Sequence, residues 1–144
     1  MLNPQATPVT ECVNEARSLI GKIGWLSNCH YAYAFRFSYL SQLSHKCNEQ
    51  TLRLIKQTCN EIVKYPAPPL RFVPVHEPEL RLFVDASFGS FVSRIGWILF
   101  LVNKQSELTC TDNPIIWKSA KDGRRHKSTA SAELSAIVDS IHGC

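Results

Sequence analysis

With 144 residues, the chain has room for one domain, or for a small domain with a helical attachment. Its 44% hydrophobic content suffices for a packed core and excludes wholesale disorder. The formal charge of +4 permits a polyanionic partner without requiring one.

Residues 1–10, with Pro4 and Pro8, read as a flexible lead-in. From Thr10, a suitable N-cap, Val13, Ala16, Ile20 and Ile23 recur at helical spacing. The stretch NCHYAYAFRFSYLSQLS predicts a second, more aromatic helix with Phe35, Leu40 and Leu43 turned inward. After Asn48, the stripe Leu52, Ile55, Cys59 and Ile62 predicts a third helix that stops before Pro66. YPAPPLRFVPVHEP cannot be regular helix and reads as an extended connector. The period then changes to two. LRLFVDA predicts a strand, with a turn around Ser87–Ser90. SRIGWILFLVNK predicts a long strand apolar on both faces, and NPIIWKSA a third after a loop through Asp112 and Asn113. STASAELSAIVDSIH returns to helix, with Leu134, Ile137, Val138 and Ile141 as its apolar face. The expected fold class is α/β: a helical segment over 1–65, a proline-rich connector over 66–79, and a three-stranded antiparallel meander plus one helix over 80–144.

The six cysteines, at 12, 29, 47, 59, 110 and 144, include no C-x-x-C pair. The opening MLNPQATPVTECVNE lacks a charged-then-apolar leader, and no apolar run nears the roughly 18–20 residues of a membrane span. A soluble intracellular chain with free thiols, cytoplasmic or nuclear, is therefore expected. Cys29, His30, His45 and Cys47 offer two thiolates and two imidazoles to zinc, but paired ligand spacing is absent. A secreted factor stapled by Cys12, Cys29, Cys47 and Cys59 would need a leader.

Two carboxylates stand out. Asp85 lies inside an apolar strand, where desolvating it is costly unless a partner such as a metal ion holds it. Glu133 lies in the first turns of the last helix, at the edge of its apolar face. A helix that follows a meander packs on it, so Glu133 can lean toward Asp85. Two carboxylates brought together repel unless a divalent cation neutralises them. Taken alone, Glu133 also reads as a solvated residue near a favourable helix start, and Asp85 as a strand-edge or turn residue. The segment KSAKDGRRHKS sets Lys118, Lys121, Arg124, Arg125 and Lys127 against Asp122 alone, a surface suited to phosphates. Asp139 is expected to be a solvent-facing or helix-surface residue.

These elements resemble the part of copia-type LTR retrotransposon Pol that follows the polymerase core. EARSLIGKIGWLSNCHYAYAFRFSYLSQL is similar to the family's YRSLIGxLxYL element and the following RPDIAYAVxxLSR. Arg17 to Gly21, Trp25-Leu26, Ala32 to Ala34 and Leu40-Ser41 match, while Asn28-Cys29-His30-Tyr31 replaces the usual Arg-Pro-Asp-Ile. The helix at 49–65 resembles LKRVLRYLKGT, LRLFVDASFG resembles LxGYxDADWAG, and STASAELSAI resembles SSTEAEYxAL.

The resemblance implies that 80–144 begins a ribonuclease H domain, which cleaves RNA in RNA–DNA hybrids with two carboxylate-held Mg²⁺ ions. Asp85 then stands at the first-strand aspartate and Glu133 at the first-helix glutamate, with the basic segment near the hybrid backbone. The family's two later aspartates and the polymerase YxDD are not in the sequence, so the chain reads as a piece of Pol, expected to bind Mg²⁺ weakly and to be inactive alone. The alternatives are a non-enzymatic module contacting nucleic acid, full-length Pol or a second copy of the chain, and a remnant without function.

Overall fold

The computed structural model describes residues 9–44, 47–88, 93–104, 112–124 and 126–143. The chain divides into two compact units, Met1–Pro68 and Pro69–Cys144, with the boundary inside the proline-rich connector.

The first unit is helical. Helix α1 spans Val9–Cys29 and buries Cys12, Ala16, Ile20 and Ile23, one stripe at intervals of three and four. It begins at Val9, so Thr10 lies within the helix and does not cap it. The predicted second helix is broken at its start. His30 adopts extended backbone, and its Nδ1 accepts a hydrogen bond from the Ala32 N–H at 3.1 Å. A 3₁₀ turn over Tyr31–Tyr33 follows, and helix α2 runs over Ala34–Leu43.

That register corrects the expectation for Phe35. Tyr33 and Leu40 are buried and Phe37 packs on the same core, and Leu43 is half-buried against it. A residue two positions before Phe37 projects from the other side of a 3.6-residue helix. Phe35 is accordingly 54% exposed, stacked on Tyr39 with ring centroids 6.2 Å apart. Gly24 lets α1 meet α2 closely: a Cβ there would lie 2.7 Å from the Phe37 ring.

Helix α3 spans Glu49–Lys64 as the apolar stripe predicts, with Leu52, Ile55 and Ile62 buried and Cys59 packed against them. Asn48 caps it, its side chain accepting from the Thr51 N–H at 2.8 Å. No described helix is long and apolar enough to cross a membrane.

The second unit is a three-stranded antiparallel sheet in the order β1-β2-β3, with one helix. Strand β1 covers Pro78–Ser87, β2 Ser93–Asn103 and β3 Asn113–Asp122. The turn expected around Ser87–Ser90 falls partly outside the described residues. Strand β2 is central in the sheet, with Ser93, Ile95, Trp97 and Val102 buried and its remaining residues half-buried. Asn113 opens β3 instead of lying in a loop. Its side chain accepts from the Val73 N–H at 2.7 Å and donates to the Val73 carbonyl at 2.8 Å, tying the end of the connector to the sheet.

Helix α4, Thr129–Gly143, packs on β1 and β2. Its inward face is not the expected one. Ala132, Ser135, Ala136 and Ser140 are buried, whereas Leu134, Ile137, Val138 and Ile141 are 41–65% exposed. The small residues allow close approach to a sheet face carrying Val84, Ala86, Ile95 and Ala120. At the helix end, a Cβ on Gly143 would sit 2.7 Å from the Trp97 ring. Large aliphatics could not be accommodated at that spacing, so they face outward.

Candidate metal and nucleic-acid site

Asp85 sits on β1 opposite Gly96 of β2, which in turn faces Ser119 of β3. It is exposed, so its carboxylate carries no burial penalty and the costly desolvation expected from its apolar neighbours does not arise. Side chains alternate along a strand. Val84 and Ala86 belong to the cluster beneath α4, which directs Asp85 to the other face of the sheet. Glu133 is half-buried on the flank of α4, between fully buried Ala132 and exposed Leu134. The two carboxylates thus ride on elements that pack together, and they can approach one another only around β1, the outer strand of the described sheet. Both offer hard oxygen donors of the kind that suit Mg²⁺.

The basic segment is more structured than a solvated loop. Lys118 lies within β3, and its Nζ donates to Asp139 Oδ2 at 3.0 Å. Trp97 Nε1 donates to the same oxygen at 3.4 Å. Asp139 is thus a half-buried residue of the helix surface that contacts Trp97 and Lys118 of the sheet. The reason is the small face of α4, which brings position 139 over Trp97. Lys121 and Lys127 are exposed, and Arg125 lies outside the described residues.

Arg124 is tied to Asp122, a residue the sequence reading treated only as a countercharge. The Asp122 side chain is 3% exposed. Its Oδ1 accepts from the Arg124 backbone N–H at 2.9 Å and from Arg124 Nε at 3.0 Å. Its Oδ2 pairs with His126 Nε2 at 2.8 Å and accepts from Ser135 Oγ at 2.7 Å. Burial alone would push this carboxyl up. The Arg124 guanidinium and N–H outweigh it, joined by the Ser135 hydroxyl and His126, and hold the acid well below the usual carboxylate range.

The arrangement joins the end of β3, the basic segment and the second turn of α4 through one carboxylate. It is not the geometry of a nucleophilic triad, because Ser135 and His126 both bond Asp122 Oδ2, the serine hydroxyl donating to the carboxylate. The dipeptide Asp122-Gly123 is a turn signal, and an aspartate bonding the N–H two residues on is its usual geometry. That much could have been foreseen. The Ser135 contact, thirteen residues away, could not.

The zinc candidates that are described serve elsewhere. Cys29 is exposed. His30 Nε2 lies 2.9 Å from the Pro68 carbonyl, and its other ring nitrogen is bonded to Ala32. Cys47 packs against Cys12, and His45 lies outside the described residues. Among the described residues, no three potential ligands gather.

Comparison of the chain with protein-family models, with curated proteins and with solved structures found no match.

Proposed function

We propose that this chain is part of a copia-type retrotransposon Pol protein, and that its sheet unit is the beginning of a ribonuclease-H-like domain engaging RNA–DNA hybrids in the cytoplasm or nucleus. One observation carries the reading. An antiparallel β1-β2-β3 meander is followed by a helix packed on β1 and β2, with an aspartate on β1 and a glutamate in the first turns of that helix. This is the element order that the resemblance implies, with an acidic residue on each of the two elements it names.

In this reading Asp85 and Glu133 would hold Mg²⁺, which when bound supplies an activated water and charge stabilisation at the scissile phosphate. Lys121 and Lys127 provide exposed cations for the hybrid backbone, and between them Asp122 holds the Arg124 and His126 side chains. Two carboxylates on opposite sides of a strand bind the metal weakly, so turnover by this chain alone is expected to be very low.

A second reading, a binding module for nucleic acid or for intact Pol without catalysis, is favoured by that same separation of Asp85 from the helix-covered face. One experiment addresses both. The purified chain is mixed with a labelled RNA–DNA hybrid in Mg²⁺ and then Mn²⁺, beside Asp85→Asn and Lys121→Ala. Cleavage lost in Asp85→Asn supports the nuclease. Hybrid retention without cleavage, weakened by Lys121→Ala most at low salt, supports the module. Cleavage that survives Asp85→Asn refutes the metal assignment, and neither cleavage nor retention refutes both readings.

A further inference from the structure

The helical unit holds two free thiols in contact at the centre of its core. Cys12, in the first turn of α1, and Cys47, the residue before the Asn48 cap of α3, are 35 positions apart, with their sulfurs separated by 3.4 Å. They are 5% and 9% exposed and belong to the cluster formed by Ala16, Ile20, Leu52 and Ile55. Two sulfurs at that distance are in van der Waals contact, and a disulfide requires them to close to about 2.05 Å. Of the other described thiols, Cys29 is exposed and Cys59 half-buried.

From this geometry we infer that Cys12 and Cys47 form an oxidisable pair, which a small peroxide converts into an intrachain disulfide linking the start of α1 to the start of α3. A small oxidant is specified because the two thiols are buried. Burial, with the adjoining Cys12, pushes the Cys47 thiol up to about 11, so Cys47 is held protonated at neutral pH. Either sulfur of the touching pair can meet the peroxide first, here taken as Cys12.

In that step the Cys12 sulfur forms a bond to one peroxide oxygen, the O–O bond breaks, and the departing hydroxide takes the Cys12 proton as water. Cys12 is then a sulfenic acid. The Cys47 sulfur attacks it, the S–S bond forms, the S–O bond breaks, and the leaving hydroxide takes the Cys47 proton as a second water. Two thiols are oxidised and one peroxide is reduced. Because Cys47 must lose its proton from a buried position, the second step is slow at pH 7 and quickens as pH rises.

The test uses the full chain. After exposure to hydrogen peroxide, the protein is denatured in an alkylating agent, weighed and digested with trypsin. The expected result is a fall from six alkylated cysteines to four, a mass lower than that of the fully alkylated chain by two alkyl groups, and a joined peptide pairing the fragment ending at Arg17 with the fragment 47–53, separated again by dithiothreitol. The doubly substituted chain Cys29→Ser, Cys59→Ser should give the same joined peptide, while Cys47→Ser should leave a sulfenic acid on Cys12 that dimedone traps. Absence of the joined peptide from the oxidised wild-type chain, with Cys12 carried to the sulfinic acid or linked to Cys29 in comparable yield, overturns the inference. That result needs no variant to fold.

Discussion

Replacing Asp122 by asparagine removes one charge and changes almost nothing in shape. The carboxylate accepts from Arg124 N, Arg124 Nε, Ser135 Oγ and His126 Nε2, from a position 3% exposed. The amide oxygen can retain both Arg124 contacts. The amide nitrogen then points an N–H at Ser135 and His126, so the serine must rotate and the imidazole must present a lone pair. One charge-assisted bond is lost and the Arg124 contacts weaken, at roughly 1.5–3 kcal/mol for each bond to a charged group. The expected destabilisation of the sheet unit is about 3 kcal/mol, a large share of the ~5–15 kcal/mol that holds an ordinary domain together.

Urea unfolding followed by tryptophan fluorescence would measure it. A Trp25→Phe background, in a position 67% exposed on the helical unit, leaves Trp97 and Trp117 as reporters of the sheet. The pH dependence supplies the second arm. A carboxyl held below its unfolded value stabilises the fold fully above about pH 4, and that stability is lost as pH falls through the unfolded value toward the lower folded one. Wild type should therefore lose stability below about pH 4 by more than Asp122→Asn does. A difference under ~0.5 kcal/mol at pH 7, or parallel acid profiles, would refute the claim that this carboxylate organises the segment.

Two further substitutions probe the packing. Gly24→Ala gains helix propensity worth up to about 1 kcal/mol, yet its methyl enters the Phe37 ring, so a net loss of about 1–2 kcal/mol is expected from thermal melting of the helical unit. On α4, Ala136→Leu should cost about 2–3 kcal/mol because residue 136 is wholly buried, whereas Ile141→Ser, 65% exposed, should stay within ~0.5 kcal/mol by the same assay. The reverse ranking would mean that α4 presents its aliphatic face to the sheet after all.

Why some of this architecture could be read in advance, and some could not, comes down to range. The stripe Leu52, Ile55, Cys59, Ile62 between Asn48 and Pro66 is a local signal with its cap and its stop, and α3 follows it. The strands lie where their period-two stretches predict, to within a few residues at their ends, although a register shift opposite Leu99 and Phe100 breaks the alternation of β3. Phe35 faces outward because α2 begins only at Ala34, after a 3₁₀ turn that the His30 side chain caps through the Ala32 N–H. On α4, hydrophobicity pointed to Leu134 and Ile141, but the spacing of helix to sheet is set by Trp97 meeting Gly143, and only small residues fit. Asp85 and Glu133 were visible as residues. Their placement on opposite sides of β1 depends on which strand face the helix chose, a tertiary decision that sequence spacing does not encode.

The contrast between the two cores also bears on temperature. The helical unit sequesters isoleucines and leucines, while the sheet unit buries mainly alanine and serine beneath α4 and leaves four aliphatic side chains wet in the native state. Heat-capacity change on unfolding follows newly hydrated apolar area, so the sheet unit has less to contribute per residue. Its free energy should vary more gently with temperature than that of the helical unit. Cooling, which weakens hydrophobic cohesion, should therefore erode the helices faster than the sheet.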